Sequence, residues 1–147
     1  MTTTSAENLD LYSLVYTSTA SRPLSKGDLE RILNNARRRN LEERVTGLLL
    51  FSDGNFMQYL EGPESGVLKI FELIKKSSLH AQIIEISRKG IAVREYGDWS
   101  MAFLADVDAQ ALPTASQDAS LIRALEEQTT AASTPAHTQL AEFWNKP

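Results

Sequence analysis

The chain has 147 residues, 42% hydrophobic and 23% charged, which suits one domain with its own core and a short appendage. Its formal net charge of −4 offers no attraction to a phosphate backbone, so nucleic acid is not an expected partner. Cysteine is absent, which removes disulfides, thiolate metal sites and cysteine nucleophiles.

The opening Met1-Thr2-Thr3-Thr4-Ser5 lacks the basic start and apolar run of a signal peptide. No apolar stretch approaches the ~20 residues that cross a bilayer. A cytoplasmic protein without membrane contact is the expectation. Leu11 to Thr17 is an apolar and aromatic run bounded by Ser18, Thr19 and Ser21, the pattern of a first strand. Ser25 then stands three residues ahead of Asp28, a helix-start signal close to a capping box. Leu29, Ile32, Leu33 and Ala36 follow at helical spacing, and this helix is expected to end near Asn40. The basic run Arg37-Arg38-Arg39, with Glu42-Glu43 close behind, reads as a solvated helix end, with a weak phosphate contact as the alternative.

Val45 to Phe51 is apolar enough to be a strand buried on both faces, and Asp53-Gly54 signals a hairpin turn. Phe56 to Leu60 makes the return strand. Gly62-Pro63 breaks it, and Pro63 suits a helix N-terminus. Val67, Ile70, Phe71 and Ile74 mark the inner face of a second helix. Ile83, Ile84 and Ile86 suggest a fourth strand, and Ser100 to Leu104 a fifth. The order β-α-β-β-α-β-β predicts an α+β fold of ferredoxin-like plan, with both helices on one face of the sheet. Composition shifts after Asp106, so residues 8–106 are expected to form the domain and 107–147 a helical extension. Leu121, Ile122 and Leu125 suggest one helix there, and Leu140, Phe143 and Trp144 another. This tail is too short for a second core. It must lie on the sheet's free face, pack against a partner, or fray.

No catalytic constellation is visible. His80 and His137 have no metal-ligand spacing around them, and neither a P-loop nor a G-x-G-x-x-G segment occurs. What remains is polar groups on otherwise buried strands. Tyr16 stands late in the first strand, and alternation puts Gln58 on one face with Phe56 and Leu60. A buried amide left unmet costs ~1–3 kcal/mol, so Gln58 needs a partner or an exposed face. Pattern alone leaves open a purely structural hydrogen bond for Gln58, a cap for Asn40, and core roles for Trp99 and Met101.

Taken together, Leu14-Val15-Tyr16-Thr17-Ser18, Asn40 with Val45-Thr46-Gly47-Leu48-Leu49, Phe56 to Gly62, and Trp99-Ser100-Met101 resemble the BLUF family of flavin-binding blue-light sensors. The resemblance implies FAD held non-covalently between the two helices. Ile32 and Ile74 would grip its faces, Asn40 its carbonyl edge, and Gln58 would stand between Tyr16 and the flavin. Ser18, His80, Trp99 and Met101 would line the same neighbourhood. It further implies that blue light triggers transient electron and proton transfer from Tyr16. The Gln58 amide then rotates or tautomerises, giving a reversible red-shifted state without enzymatic turnover. Two positions depart from the family pattern: Ser77 and Leu79 stand where an acidic residue and an arginine are usual.

With no enzymatic domain evident, the chain resembles the short members of the family, which signal through an effector protein or a homo-oligomer. The rival readings are a cofactor-free interaction module and an acylphosphatase-like hydrolase. The second lacks its glycine-rich loop and neighbouring arginine.

Overall fold

The computed structural model describes residues 11–95, the backbone of 102–105, and residues 140, 142 and 143. The elements run β1 (Leu11–Ala20), α1 (Lys26–Glu42), β2 (Thr46–Ser52), β3 (Asn55–Pro63), α2 (Glu64–Lys75), β4 (His80–Gly90) and β5 (Ala102–Ala105). One five-stranded sheet has the order β4-β1-β3-β2-β5. β1 is antiparallel to both β3 and β4, β2 and β3 form a hairpin, and β5 lies parallel to β2. This is the ferredoxin-like arrangement with one strand added at the β2 edge.

Local chemistry starts and stops these elements. Ser25 Oγ accepts from the Asp28 backbone N–H at 3.1 Å, and the Asp28 carboxylate accepts from the Ser25 N–H at 2.9 Å, completing the capping box of α1. The hairpin turns through Asp53 and Gly54, both at positive φ, the conformation a two-residue loop between twisted strands requires. At the other end of α1 the helix runs past Asn40 to Glu42. Arg44 takes the left-handed conformation at φ 58, and the Val45 N–H reaches back to the Asn40 carbonyl at 2.8 Å. The Arg44 N–H also reaches Leu41, so the end is a Schellman closure with arginine where glycine is usual. Asn40 is therefore not a cap but a side chain in the last turn, fully buried.

Alternation divides the sheet into two faces. Leu14, Tyr16, Leu49, Phe51, Phe56 and Leu60 point to the side of the helices, where they form one cluster with Leu29, Leu33, Val67, Ile70, Phe71 and Ile74. Val15, Leu48, Leu50, Met57 and Tyr59 point the other way and are buried as well. Leu140 and Phe143, at helical positions, are also buried and stand apart from the helix-side cluster. β4 is an edge strand with irregular register against β1, and Ile84 and Ile86 on it are exposed rather than core. No helix among the described residues is long and apolar enough to cross a membrane. The expected helix at 121–125, together with Trp144 and His137, lies outside the described residues.

Candidate functional site

A slot opens between α1 and α2 with the sheet as its floor. Ile32, Ala36, Arg39 and Asn40 line it from α1, and Ile70 and Ile74 from α2. Tyr16, Leu49, Gln58 and His80 complete it from four different strands. The cavity itself is about 20 Å³, and the atom-free space among its lining residues, open solvent included, is about 340 Å³. The α1 residues share a face because positions 32, 36, 39 and 40 recur every three or four residues along the helix.

The floor is built by register. Tyr16 on β1 stands directly opposite Gln58 on β3, which stands opposite Leu49 on β2. Tyr16 is 0% exposed and Gln58 3%. The Tyr16 hydroxyl donates a hydrogen bond to Gln58 Oε1. Gln58 is thus a buried amide engaged by a phenol. Burial pushes the Tyr16 pKa well above the usual phenol range, with a small opposing pull from Arg39, so the side chain stays neutral. The ring packs against Phe71 at a centroid distance of 5.4 Å.

His80 opens β4 beside this pair. Its Nδ1 is 2.8 Å from Ser18 Oγ, and its ring lies 4.8 Å from that of Phe56 and edge-on to Tyr16. Burial, and secondarily the positive charge of Arg39, lower its pKa below 6.5 and favour the neutral ring. Two polar atoms inside the site, Arg39 Nε and Asn40 Oδ1, are buried without a protein hydrogen bond, though Asn40 interacts in other ways. A slot with apolar walls, a phenol–amide pair on its floor and polar atoms at one end suits a flat heterocycle with an apolar body and a polar edge. The residues present fit a flavin ring.

Known proteins agree with that chemistry. The BLUF family, described as sensors of blue light using FAD, matches residues 11–102. The chain belongs to the BLUF family. It is 35% identical over 92 residues to photoactivated adenylate cyclase subunit beta of Euglena longa, covering 62% of this chain and 11% of that one. Over 93 residues it is 36% identical to the blue light- and temperature-regulated antirepressor BluF of Escherichia coli strain K12, covering 62% of this chain and 23% of that one. The dark-state structure of BlrB, a BLUF protein, matches with a TM-score of 0.63 at 33% identity, covering 65% of this chain and 73% of that one. The chain therefore spans roughly a tenth to a quarter of these two curated relatives.

Within this BLUF domain, seven of the expected site residues converge. Tyr16, Ile32, Asn40, Gln58, Ile74 and His80 line the slot, and Ser18 reaches it through His80. Trp99 and Met101 lie outside the described residues. Sequence reasoning missed three lining residues, Ala36, Leu49 and Ile70, because apolar positions on a core-facing stripe carry no mark of a ligand. It also read Arg37 to Arg39 as a solvated end. Arg38 is exposed, but Arg39, one residue from Asn40, turns into the slot.

Proposed function

We propose that this chain is a blue-light photoreceptor that binds FAD in the slot between α1 and α2 and signals through the Tyr16–Gln58 pair. The observation that carries the reading is the buried hydrogen bond from the Tyr16 hydroxyl to Gln58 Oε1, on the floor of the slot between the two helices. Bound flavin would supply absorption of blue light and, once excited, oxidising power. Ile32 and Ile74 would hold the ring by its apolar faces, and Asn40 and Arg39 would meet its polar edge.

Tyr16 keeps its proton in the dark because burial disfavours the phenolate. Its hydroxyl fixes the orientation of Gln58 by claiming the acceptor end of the carboxamide. A carboxamide has chemically different ends, so rotation or tautomerisation exchanges what it presents to either neighbour. Tyr16 would then accept from the amide N–H or donate to another group, and the change is stored in hydrogen bonds alone. Ser18 and His80 form the adjoining wall, and Trp99 and Met101 are proposed to adjoin the same switch. The domain is taken as residues 8–106. Residues 107–147 would carry the change to an effector protein in the cytoplasm, within a homo-oligomer.

Spectroscopy tests the reading. The purified chain should be yellow and shift its flavin absorption reversibly to the red under blue light. Gln58→Leu should keep the flavin and lose the normal shift. A colourless protein that takes up no added flavin, or a normal photocycle in the variant, defeats the proposal.

A further inference from the structure

A second buried phenol stands one position from the switch, and its proton acceptor is the stronger base. Tyr59 follows Gln58 on β3 and lies directly opposite Val15, the residue before Tyr16. Neighbouring strands run about 4.8 Å apart and rise about 3.4 Å per residue, which puts the Cα atoms of Tyr16 and Tyr59 roughly 6 Å apart. Their side chains leave the sheet on opposite faces, and both are fully buried.

The two hydroxyls differ in what receives the proton. Tyr16 donates to Gln58 Oε1, an amide oxygen and a very weak base. Tyr59 donates to Glu61 Oε1 at 3.0 Å, and Glu61 also accepts from Thr46 Oγ1 and the Glu95 backbone N–H, as a carboxylate does. Burial, then the charge of Glu61, push the Tyr59 pKa far above the usual phenol range, so at rest the phenol keeps its proton. Loss of an electron reverses this, because a phenol radical cation is a strong acid. An oxidised phenol is stabilised by passing its proton along an existing hydrogen bond, and more so when the acceptor is the better base. The bond to Glu61 therefore makes Tyr59 easier to oxidise than Tyr16.

We propose that Tyr59 and Glu61 form a second redox pair of the domain, one that refills Tyr16 after the excited flavin has oxidised it. An electron leaves the Tyr59 phenol and crosses the sheet to the Tyr16 phenoxyl, which takes back its proton across the Gln58 hydrogen bond. The Tyr59 O–H bond breaks and its proton bonds to Glu61 Oε1. One phenoxyl disappears at Tyr16, one appears at Tyr59, and Glu61 becomes a carboxylic acid. This path diverts an excitation from the Gln58 switch and leaves the dark absorption alone. The inference rests on the flavin reading for its oxidant, whereas the ease of oxidising Tyr59 belongs to the protein itself.

Two measurements on the full chain separate the pair from the flavin reading. In the first, ligand-free protein is oxidised by a flash-quenched ruthenium polypyridyl complex, frozen, and its phenoxyl radical measured by EPR spectroscopy. Tyr59→Phe and Glu61→Gln should each lower the signal about fivefold or more, the second because a neutral hydrogen bond replaces a charge-assisted one. Tyr16→Phe should lower it less. In the second, FAD-loaded protein is frozen under blue light, and Tyr59→Phe should lower the trapped radical by a similar factor. An unchanged radical yield in Tyr59→Phe, in either measurement, overturns the inference. A loss in Tyr59→Phe that Glu61→Gln does not share removes the carboxylate and overturns the pair. If Glu61→Gln does not fold, Glu61→Asp, which withdraws the carboxylate by one methylene, is judged by the same criteria. A chain that takes up no flavin defeats the photoreceptor reading and the refilling of Tyr16 with it, while the first measurement still decides whether Tyr59 and Glu61 are a redox pair.

Discussion

At the scale of single residues, the floor of the slot is a set of polar groups held neutral by burial. Tyr16 and His80 are both kept uncharged, for opposite reasons of sign: burial raises the phenol and lowers the imidazole. For His80 the consequence is a pH dependence. The unfolded chain takes up a proton near the ordinary 6.5, while the folded chain resists until lower pH. The stability this group contributes is complete above 6.5 and is lost as pH falls through the depressed folded value. The urea midpoint should therefore drop between about pH 7.5 and about pH 5.5, and drop less in His80→Gln; equal drops would show that His80 is not the group responsible. Tyr16→Phe tests the partner pair. It should leave the fold intact at a cost of about 1 kcal/mol, since Gln58 Oε1 loses its donor, and should stop the photocycle. A normal light-induced shift in Tyr16→Phe would remove the phenol from the mechanism. Leu79, where the family pattern has arginine, offers the site no charge, and Arg39 on α1 stands as the cation of the slot.

At the scale of elements, β3 serves both faces of the sheet. Gln58 faces the slot, while Tyr59 and Glu61 belong to a second buried polar cluster. Glu61 is 0% exposed and accepts from Tyr59 Oη at 3.0 Å, Thr46 Oγ1 at 2.9 Å and the Glu95 backbone N–H at 2.7 Å. Arg94 adds bonds to Thr46 and to the Glu61 and Arg44 carbonyls, tying the chain after β4 onto the β2–β3 hairpin. Glu61→Ala would strand several buried donors and should cost roughly 2–4 kcal/mol, whereas Glu61→Gln should cost less. Because Glu61 and the slot lie on opposite faces, flavin absorption should hardly move in either variant; a large spectral change would show the faces to be coupled. Gly47 marks another constraint, since a Cβ there would lie 1.9 Å from the Tyr59 carbonyl oxygen. Gly47→Ala must push β2 from β3 beneath Leu49 and Gln58. It should cost about 2–3 kcal/mol or more in denaturant unfolding and weaken flavin binding.

These elements also show what the sequence could reveal. Ser25 with Asp28, Asp53-Gly54 and the helical stripes were legible because each is a local signal with a local cause. The tyrosine, glutamine, asparagine and isoleucines of the slot were legible through the family resemblance. Three features were not. The end of α1 closes through an arginine at positive φ, so no glycine announced it. The inward turn of Arg39 depends on helical phase relative to the slot, which three consecutive arginines do not disclose. β4 runs on through Ser87 to Gly90, a polar stretch made strand by pairing with β1 rather than by its own pattern.

At the scale of the whole molecule, β1, β2 and β3 are buried on both faces of the sheet while α1 and α2 cover only one. Val15, Leu48 and Tyr59 on the second face are each 0% exposed, so this face has a cover of its own. Leu140 and Phe143 are buried outside the helix-side cluster, which makes their segment the candidate for that cover. The arrangement matters for output. β5 lies beside β2 and leads toward residues 107–147, so a change on the floor of the slot has a short path through the sheet to whatever rests on its far side. Such a path works only if the tail is energetically part of the domain. Leu140→Ala is the measurement. As a structural leucine it should cost about 2–5 kcal/mol in chemical unfolding, while dark flavin absorption stays where it was, because Leu140 stands apart from the helix-side cluster around the slot. If the tail is coupled to the switch, light should also change the unfolding midpoint of the wild type more than that of Leu140→Ala. A substitution that costs nothing would mean that the second face is closed by other residues, and the route from Gln58 to an effector would have to leave the sheet elsewhere.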